Sequence, residues 1–187
     1  MYFAKVKDAL SSPIDPTVEA TSKTKLAAVM IIIFGNEPIV IMTKRPITMN
    51  YHAGEISFPG GGWDSQYDKD FLDTAIRETR EEIGIDIFRN QVIGQLKPVN
   101  TLNSGFTITP FITIQDKVQS LNSNSEIESI LEIPLIPLLK TMAEDKDPTH
   151  KSLQEMYTFT FQNHLIWGAS ARILKQMLAI LSSHGIV

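Results

Sequence analysis

An α/β domain is consistent with three features of the sequence: apolar runs rich in β-branched residues, two amphipathic stretches of helical period, and turn-forming residues between them. At 187 residues the chain is most simply one domain, since about 100–200 residues per domain is usual and suffices to bury a core. The content of 43% hydrophobic and 20% charged residues is ordinary for a globular protein.

Each element has a local reason. A short helix is expected around Tyr2 to Leu10, and the polar, Pro/Ser/Thr-rich remainder of residues 1–25 reads as an arm or lead-in to a main domain of residues 26–187. LAAVMIIIF (26–34) and IVIMT (39–43), separated by GNEP, read as two paired strands joined by a tight turn. Residues 44–63 hold two prolines and four glycines and read as a long loop, a kind of segment that in compact domains tends to be functional. A helix follows, with Asp68 as its expected N-cap, Asp70 and Asp73 near its positive end and Gly84 as its stop. Two β-rich runs, 91–98 and 106–114, read as strands, and IPLLKTMAE (136–144) as a short helix before a polar loop at 144–151. The strand pair 156–162 and 164–168 then precedes a final amphipathic helix from about Ser170 to Ser182.

Charge and composition narrow the chemistry. A net charge of −4 argues against a bulk electrostatic grip on nucleic acid or an anionic membrane, so a phosphate-bearing ligand would need a local cation or local basic side chains. The absence of cysteine excludes disulfides, thiolate nucleophiles and cysteine-based metal sites. The four histidines, at 52, 150, 164 and 184, lack zinc-like spacing. No secretory signal is expected from the opening residues, and the longest apolar run, 26–34, is far short of the roughly 20 residues a membrane helix needs, so a cytoplasmic location is the default expectation.

The informative stretch is RETREEIG, residues 77–84. Glu78, Glu81 and Glu82 stand at i, i+3 and i+4, where like charges destabilise a helix by about 0.2–0.5 kcal/mol per pair. On a helical wheel Phe71, Leu72, Ala75, Ile76, Thr79 and Ile83 form the buried face, and Glu82 falls at its margin. A solvated salt-bridged face, with Arg77 and Glu81 at i, i+4, leaves Glu82 unexplained. A hard divalent cation such as Mg²⁺ would offset both the repulsion and the desolvation, which makes the helix a candidate metal platform. Upstream, FPGGG (58–62) offers a backbone that can approach a ligand closely, although a flexible turn would use the same residues.

These residues resemble the Nudix box, in which Arg77, Glu78, Glu81, Glu82, Gly84 and Ile85 match an Arg-Glu pair, two spacers, a Glu-Glu pair, a spacer, Gly and an apolar residue. The sequence departs from the box at Lys69, where the separate Glu would stand, at Trp63 in place of Gly, and at Thr79 in place of an aliphatic residue. The stretch 41–61 resembles the upstream signature of the coenzyme A diphosphatase branch, with Thr43, Arg45, Gly54 and Phe58-Pro59-Gly60-Gly61 in register and Pro46 and Asn50 where that signature has Ser and Arg. That branch often carries an Asp such as Asp68 instead of the separate Glu. Residues 126–135 and 166–174 are also similar, so the resemblance spans roughly residues 26 to 180.

The resemblance implies a Nudix-like α/β/α sandwich with a mixed central sheet, the RETREE helix on one face and the C-terminal helix on the other. It implies hydrolysis of a diphosphate bond in a nucleoside diphosphate derivative, with coenzyme A or its thioesters giving 4′-phosphopantetheine and 3′,5′-ADP. Glu78, Glu81 and Glu82, with a carbonyl at Gly61, would hold Mg²⁺ or Mn²⁺; Glu82, Glu81 or Glu126 would serve catalysis, with Glu82 or Glu126 taking the proton. Arg45, Lys44, Gly54, Phe58 and Gly60 would line the substrate site, and Arg77 would organise the glutamates. For Arg45 a strand-end salt bridge, and for Glu126 a solvent-facing loop acid, are the alternatives left open. His52 reads as packing or solvent rather than catalysis, and Trp63 and Trp167 as core or rim. Partners are therefore a small-molecule nucleotide, with no nucleic acid and no membrane; a homodimer is left open. The other functional classes are an ADP-ribose or dinucleotide diphosphatase of the same family and a non-catalytic nucleotide sensor.

Overall fold

The computed structural model describes residues 2–18, 25–48, 53–101, 104–146 and 156–187; His52 and Asn50 lie outside them. In chain order the elements are α1 (Tyr2–Leu10), β1 (Lys25–Phe34), β2 (Ile39–Lys44), β3 (Ile56–Ser57), β4 (Gly60–Gly62), α2 (Phe71–Ile83), β5 (Val92–Gln95), β6 (Val99–Asn100), β7 (Phe106–Gln115), β8 (Ser129–Pro134), α3 (Leu135–Leu139), β9 (Ala143–Glu144), β10 (Tyr157–Phe161), β11 (His164–Ile166) and α4 (Gly168–Ser183).

Strand β1 is the centre. Its continuous apolar run suits a strand covered on both faces, and it pairs in parallel with β7 from Lys25–Phe106 to Phe34–Gln115. Along its other edge β1 divides its pairing, meeting β4 through Ala27–Val29 and β2 through Ile33 and Phe34, both antiparallel. β8 adds antiparallel to β2, and β5 and β6 to β7, so among the described residues eight strands form one mixed sheet. β9, β10 and β11 form a separate small sheet.

Alternation along β1 sorts its side chains onto two cores. Val29, Ile31 and Ile33 pack on one side with Val6 and Leu10 of α1, Leu135 of α3 and Leu174, Met177 and Leu181 of α4. Ala28, Met30 and Ile32 pack on the other with Phe71, Leu72, Ala75 and Ile83 of α2. The molecule is thus an α/β/α sandwich with a mixed sheet. The N-terminal lead-in does not stand apart from it, because α1 is seated in the α4-side core.

Several boundaries differ from the sequence expectation. The N-cap of α2 is Asp70, whose extended backbone (φ −153°) and side-chain bond from the Asp73 N–H at 3.0 Å satisfy the first turn. Asp68 lies two residues earlier and is committed elsewhere. Gly84 does end the helix, at φ 74°, donating to the Arg80 carbonyl at 3.0 Å. The 44–63 loop contains β3 and β4, so Gly60–Gly62 is paired strand and not a flexible turn. The 91–98 run shortens to β5, within which the register shifts between Val92 and Gly94, where a Cβ on Gly94 would come within 2.3 Å of the Leu10 carbonyl. The 136–144 stretch yields only the five residues of α3 and then β9.

Candidate active site

The site forms where α2 crosses the short strand β4. Gly60 approaches so closely that a Cβ there would lie 2.3 Å from the Ala28 carbonyl, at a φ of 154° that favours glycine. From this position its N–H donates to Glu82 Oε2 at 3.0 Å. Gly61 is pressed against Glu78, whose carboxylate atoms lie 2.5–2.6 Å from where a Cβ would stand. The two glycines therefore seat two of the three glutamates.

Glu82 is only 3% exposed, as its place at the edge of the apolar stripe predicts. Burial pushes its pKa up to about 7; the Gly60 N–H and Arg45 oppose the shift, while Glu78 and Glu126 add to it. Arg45 Nη2 lies 3.4 Å from Glu82 Oε1, and Arg45 Nη1 lies 3.6 Å from Glu126 Oε2. Arg45 thus brings Glu126 and Glu82 into one cluster.

Arg77 answers the like-charge problem in this structure. Its Nη1 donates to Glu78 Oε1 at 2.7 Å and to Glu81 Oε2 at 3.2 Å, standing between two of the carboxylates. Its Nε and Nη2 are held bidentately by Asp68 at 2.9 and 2.8 Å, and Nη2 also reaches the Gly62 carbonyl at 3.3 Å. Asp68 is buried and accepts further bonds from Thr74 Oγ1 at 2.9 Å and the Asp64 N–H at 3.1 Å. Burial raises its pKa, but Arg77, Asp64 and Thr74 together outweigh it and hold the carboxyl below its ordinary value. Glu78 goes the other way, raised by burial first and by Glu81 and Asp68, against the pull of Arg77. Arg77 and Arg45 thus stand against the three glutamates as fixed positive charges, beside any divalent cation that the carboxylates hold.

Other candidates fall elsewhere. Lys44 continues the Val40 and Met42 face of β2, on the α4 side, and pairs with Glu128 at 2.7 Å, so it does not converge with the glutamates. Phe58 is 2% exposed in the α4-side core, which makes its ring packing and not ligand surface. Gly54 occupies a turn at φ 70° with open space around it. Glu81 is half exposed beside Arg77. Trp63 packs against the α2-side core. The loop SLNSNS (120–125) reads in the sequence only as a lead to Glu126, and its hold on the C-terminal end of α2 is not foreseen: the Asn122 and Asn124 N–H groups donate to the Ile83 and Glu82 carbonyls at 3.0 and 3.1 Å. The run SLNSNS carries Asx-turn residues, and that is the one local signal it offers.

Among the described residues no three His, Asp or Glu side chains close on a common point. The donors are nevertheless all oxygen, with two of the carboxylates raised by burial and glycine backbone within reach, and this is the chemistry that suits Mg²⁺ or Mn²⁺.

A model of the NUDIX domain matches residues 24–153. An uncharacterized Nudix hydrolase, NudL, of Photorhabdus laumondii is 36% identical over 166 residues, which cover 87% of this chain and 88% of the relative. Among solved structures, a MutT/nudix family protein from Enterococcus faecalis superposes with a TM-score of 0.62 at 12% identity, over 89% of this chain and 65% of that one. The NUDIX domain of Shewanella oneidensis NrtR, solved in complex with ADP ribose, gives 0.52 at 16% identity, over 68% of this chain and 82% of that one. At such identities the structural likeness is one of fold.

Proposed function

The chain belongs to the Nudix hydrolase family, hydrolases of pyrophosphate bonds that generally depend on a divalent metal, and from that premise we propose that it cleaves the diphosphate of coenzyme A or its thioesters. The products would be 4′-phosphopantetheine and 3′,5′-ADP. The observation that carries the hydrolytic reading is Glu82: a buried carboxylate on α2, one oxygen fixed by the Gly60 N–H and the other beside Arg45, with Glu78 and Glu81 on the same helix.

A Mg²⁺ or Mn²⁺ ion held by Glu78, Glu81, Glu82 and the Gly61 carbonyl would neutralise the diphosphate and lower the pKa of an attacking water. The protein's own groups do the rest. Glu82, whose oxygens face the Gly60 N–H and Arg45, is one carboxylate placed to take the proton of the attacking water. Glu126, reached through Arg45, is the second carboxylate available to that proton. Arg45 presents a guanidinium on the same face as the glutamates, suited to a phosphate oxygen. Arg77, clamped by Asp68, keeps Glu78 and Glu81 aimed.

Coenzyme A is favoured by the resemblance of the 41–61 stretch, from which Arg45 and Gly60 stand beside Glu82. The neighbour solved with ADP ribose supports the alternative, an ADP-ribose diphosphatase. Purified protein with Mg²⁺, assayed on both compounds with products identified by mass, separates the two. Faster cleavage of ADP-ribose removes the coenzyme A assignment, and no cleavage of any nucleoside diphosphate derivative removes the hydrolase reading.

A further inference from the structure

The loop preceding β8 has one side chain that ties the two ends of the carboxylate cluster together. The Asn124 N–H donates to the Glu82 carbonyl at 3.1 Å, which fastens the loop to the last turn of α2. The Asn124 side-chain oxygen, Oδ1, then accepts from the Glu126 N–H at 2.9 Å, and its own carbonyl accepts from the Ile127 N–H at 3.3 Å. Ile127 is buried, which holds the far side of the turn in place. Glu126 is left with its carboxylate 3.6 Å from Arg45, and Arg45 returns to the Glu82 carboxylate at 3.4 Å.

The contacts make a closed circuit that starts and finishes on Glu82. Its main-chain oxygen anchors Asn124; its side-chain oxygen anchors Arg45. The Glu126 side chain is more than half exposed, and the described contacts that fix its direction are the Asn124 turn and Arg45. Gly84 permits the approach, since a Cβ there would meet Asn122 Cβ at 3.3 Å in addition to the strain of its positive φ.

We propose that Asn124 is a positioning residue that sets Glu126 against Arg45 and Glu82, so that the second carboxylate of the site is registered on α2 rather than on its own loop. The proposal rests on the hydrolytic reading above for its catalytic consequence, and on geometry alone for the placement. An asparagine or aspartate side chain suits the turn because either can accept from the N–H two residues on.

The test compares Asn124→Ala, which removes the acceptor but keeps the backbone bond to Glu82, with Asn124→Asp, which keeps both. Crystal structures of the two variants read the placement. In Asn124→Ala the Glu126 carboxylate is expected to leave Arg45, and in Asn124→Asp to remain on it; Glu126 still on Arg45 in the alanine variant overturns the proposal whatever the enzyme does. Kinetics with Mg²⁺ and coenzyme A read the consequence. Asn124→Ala should lower kcat on the order of tenfold with little change in KM, as for a lost hydrogen bond felt at the transition state. Asn124→Asp should restore it. Combined with Glu126→Gln, Asn124→Ala should add nothing, because it acts through that carboxylate. Additive losses would mean that Asn124 serves folding only. A wild-type protein that cleaves no diphosphate removes the hydrolytic reading and leaves the structural comparison to decide the placement.

Discussion

Replacing Glu82 by Gln should change how the stability of the metal-free protein depends on pH. In the fold, burial lifts the Glu82 pKa from an ordinary 4.5 to about 7. Between those values the folded protein keeps the proton that the unfolded chain has released, so the native state binds more protons and stability falls as pH rises. The contribution is fully present below 4.5 and lost as pH passes through about 7. At about 1.4 kcal/mol per pKa unit the loss is roughly 3 kcal/mol, and with 3% exposure little of it is screened by solvent. Glutamine has the same shape, can still accept from the Gly60 N–H and carries no charge at any pH. Urea unfolding of both proteins in EDTA, from pH 4.5 to about pH 8, gives the difference for Glu82 together with its coupling to Glu78 and Glu126. Wild type should lose roughly 3 kcal/mol relative to Glu82→Gln over that range. Added Mg²⁺ should then restore wild type more than the variant at the upper end, since a ligand of the native state stabilises by mass action. Parallel curves in EDTA would refute the reasoning, since they would mean that Glu82 is solvated or fully neutralised by Arg45.

Three further outcomes follow from the site. EDTA should abolish turnover, and Glu81→Gln should cut it by orders of magnitude with the unfolding midpoint nearly unchanged, Glu81 being half exposed; near-normal activity in either experiment would exclude a metal role for these glutamates. Arg45→Ala should slow every substrate through Glu82 and Glu126, so the informative quantity is the ratio of kcat/KM for coenzyme A to that for ADP-ribose. That ratio should fall by about tenfold or more if Arg45 contacts the extra 3′-phosphate, and an unchanged ratio removes Arg45 from recognition. Asp68→Asn should destabilise the protein by about 3 kcal/mol or more, since it leaves Arg77 without its bidentate, buried partner; a shift in thermal midpoint equivalent to less than about 1 kcal/mol would show the pair to be dispensable.

The legible parts of this molecule are those that periodicity governs. The run from Leu26 to Phe34 reads as a strand and is one, and the wheel places Glu82 at the margin of a buried stripe, where it is found. Period two also places Lys44, the last residue of β2, on the face opposite to the Arg45 that follows it, a consequence the residue types alone conceal by making both look like phosphate ligands. Asp68 looks like a cap in the sequence because capping residues look alike within a turn of a helix start, and the cap is Asp70. Its pairing with Arg77 across a loop has no fixed sequence period. The Gly60 N–H that holds Glu82 depends on β4 docking against β1, and the Asn124 turn on where a remote loop lands, so neither leaves a spacing to read.

The division of labour around β1 also dictates the order in which the chain can mature. Strand β1 is made early, yet the neighbour that runs its whole length, β7, lies at residues 106–115, so α2 and its glutamates are synthesised before the sheet they cover is complete. The opposite core waits longer still, because it is closed jointly by the first helix and the last, with Tyr2 Oη donating to the Ile186 carbonyl at 2.5 Å. Contacts so far apart along the chain make for slow folding and a window in which apolar strand surface is open to other molecules. A chain stopped at residue 167, before α4, should therefore be recovered as aggregate, while the 187-residue chain should gain its last protection from amide exchange on the α1–α4 side.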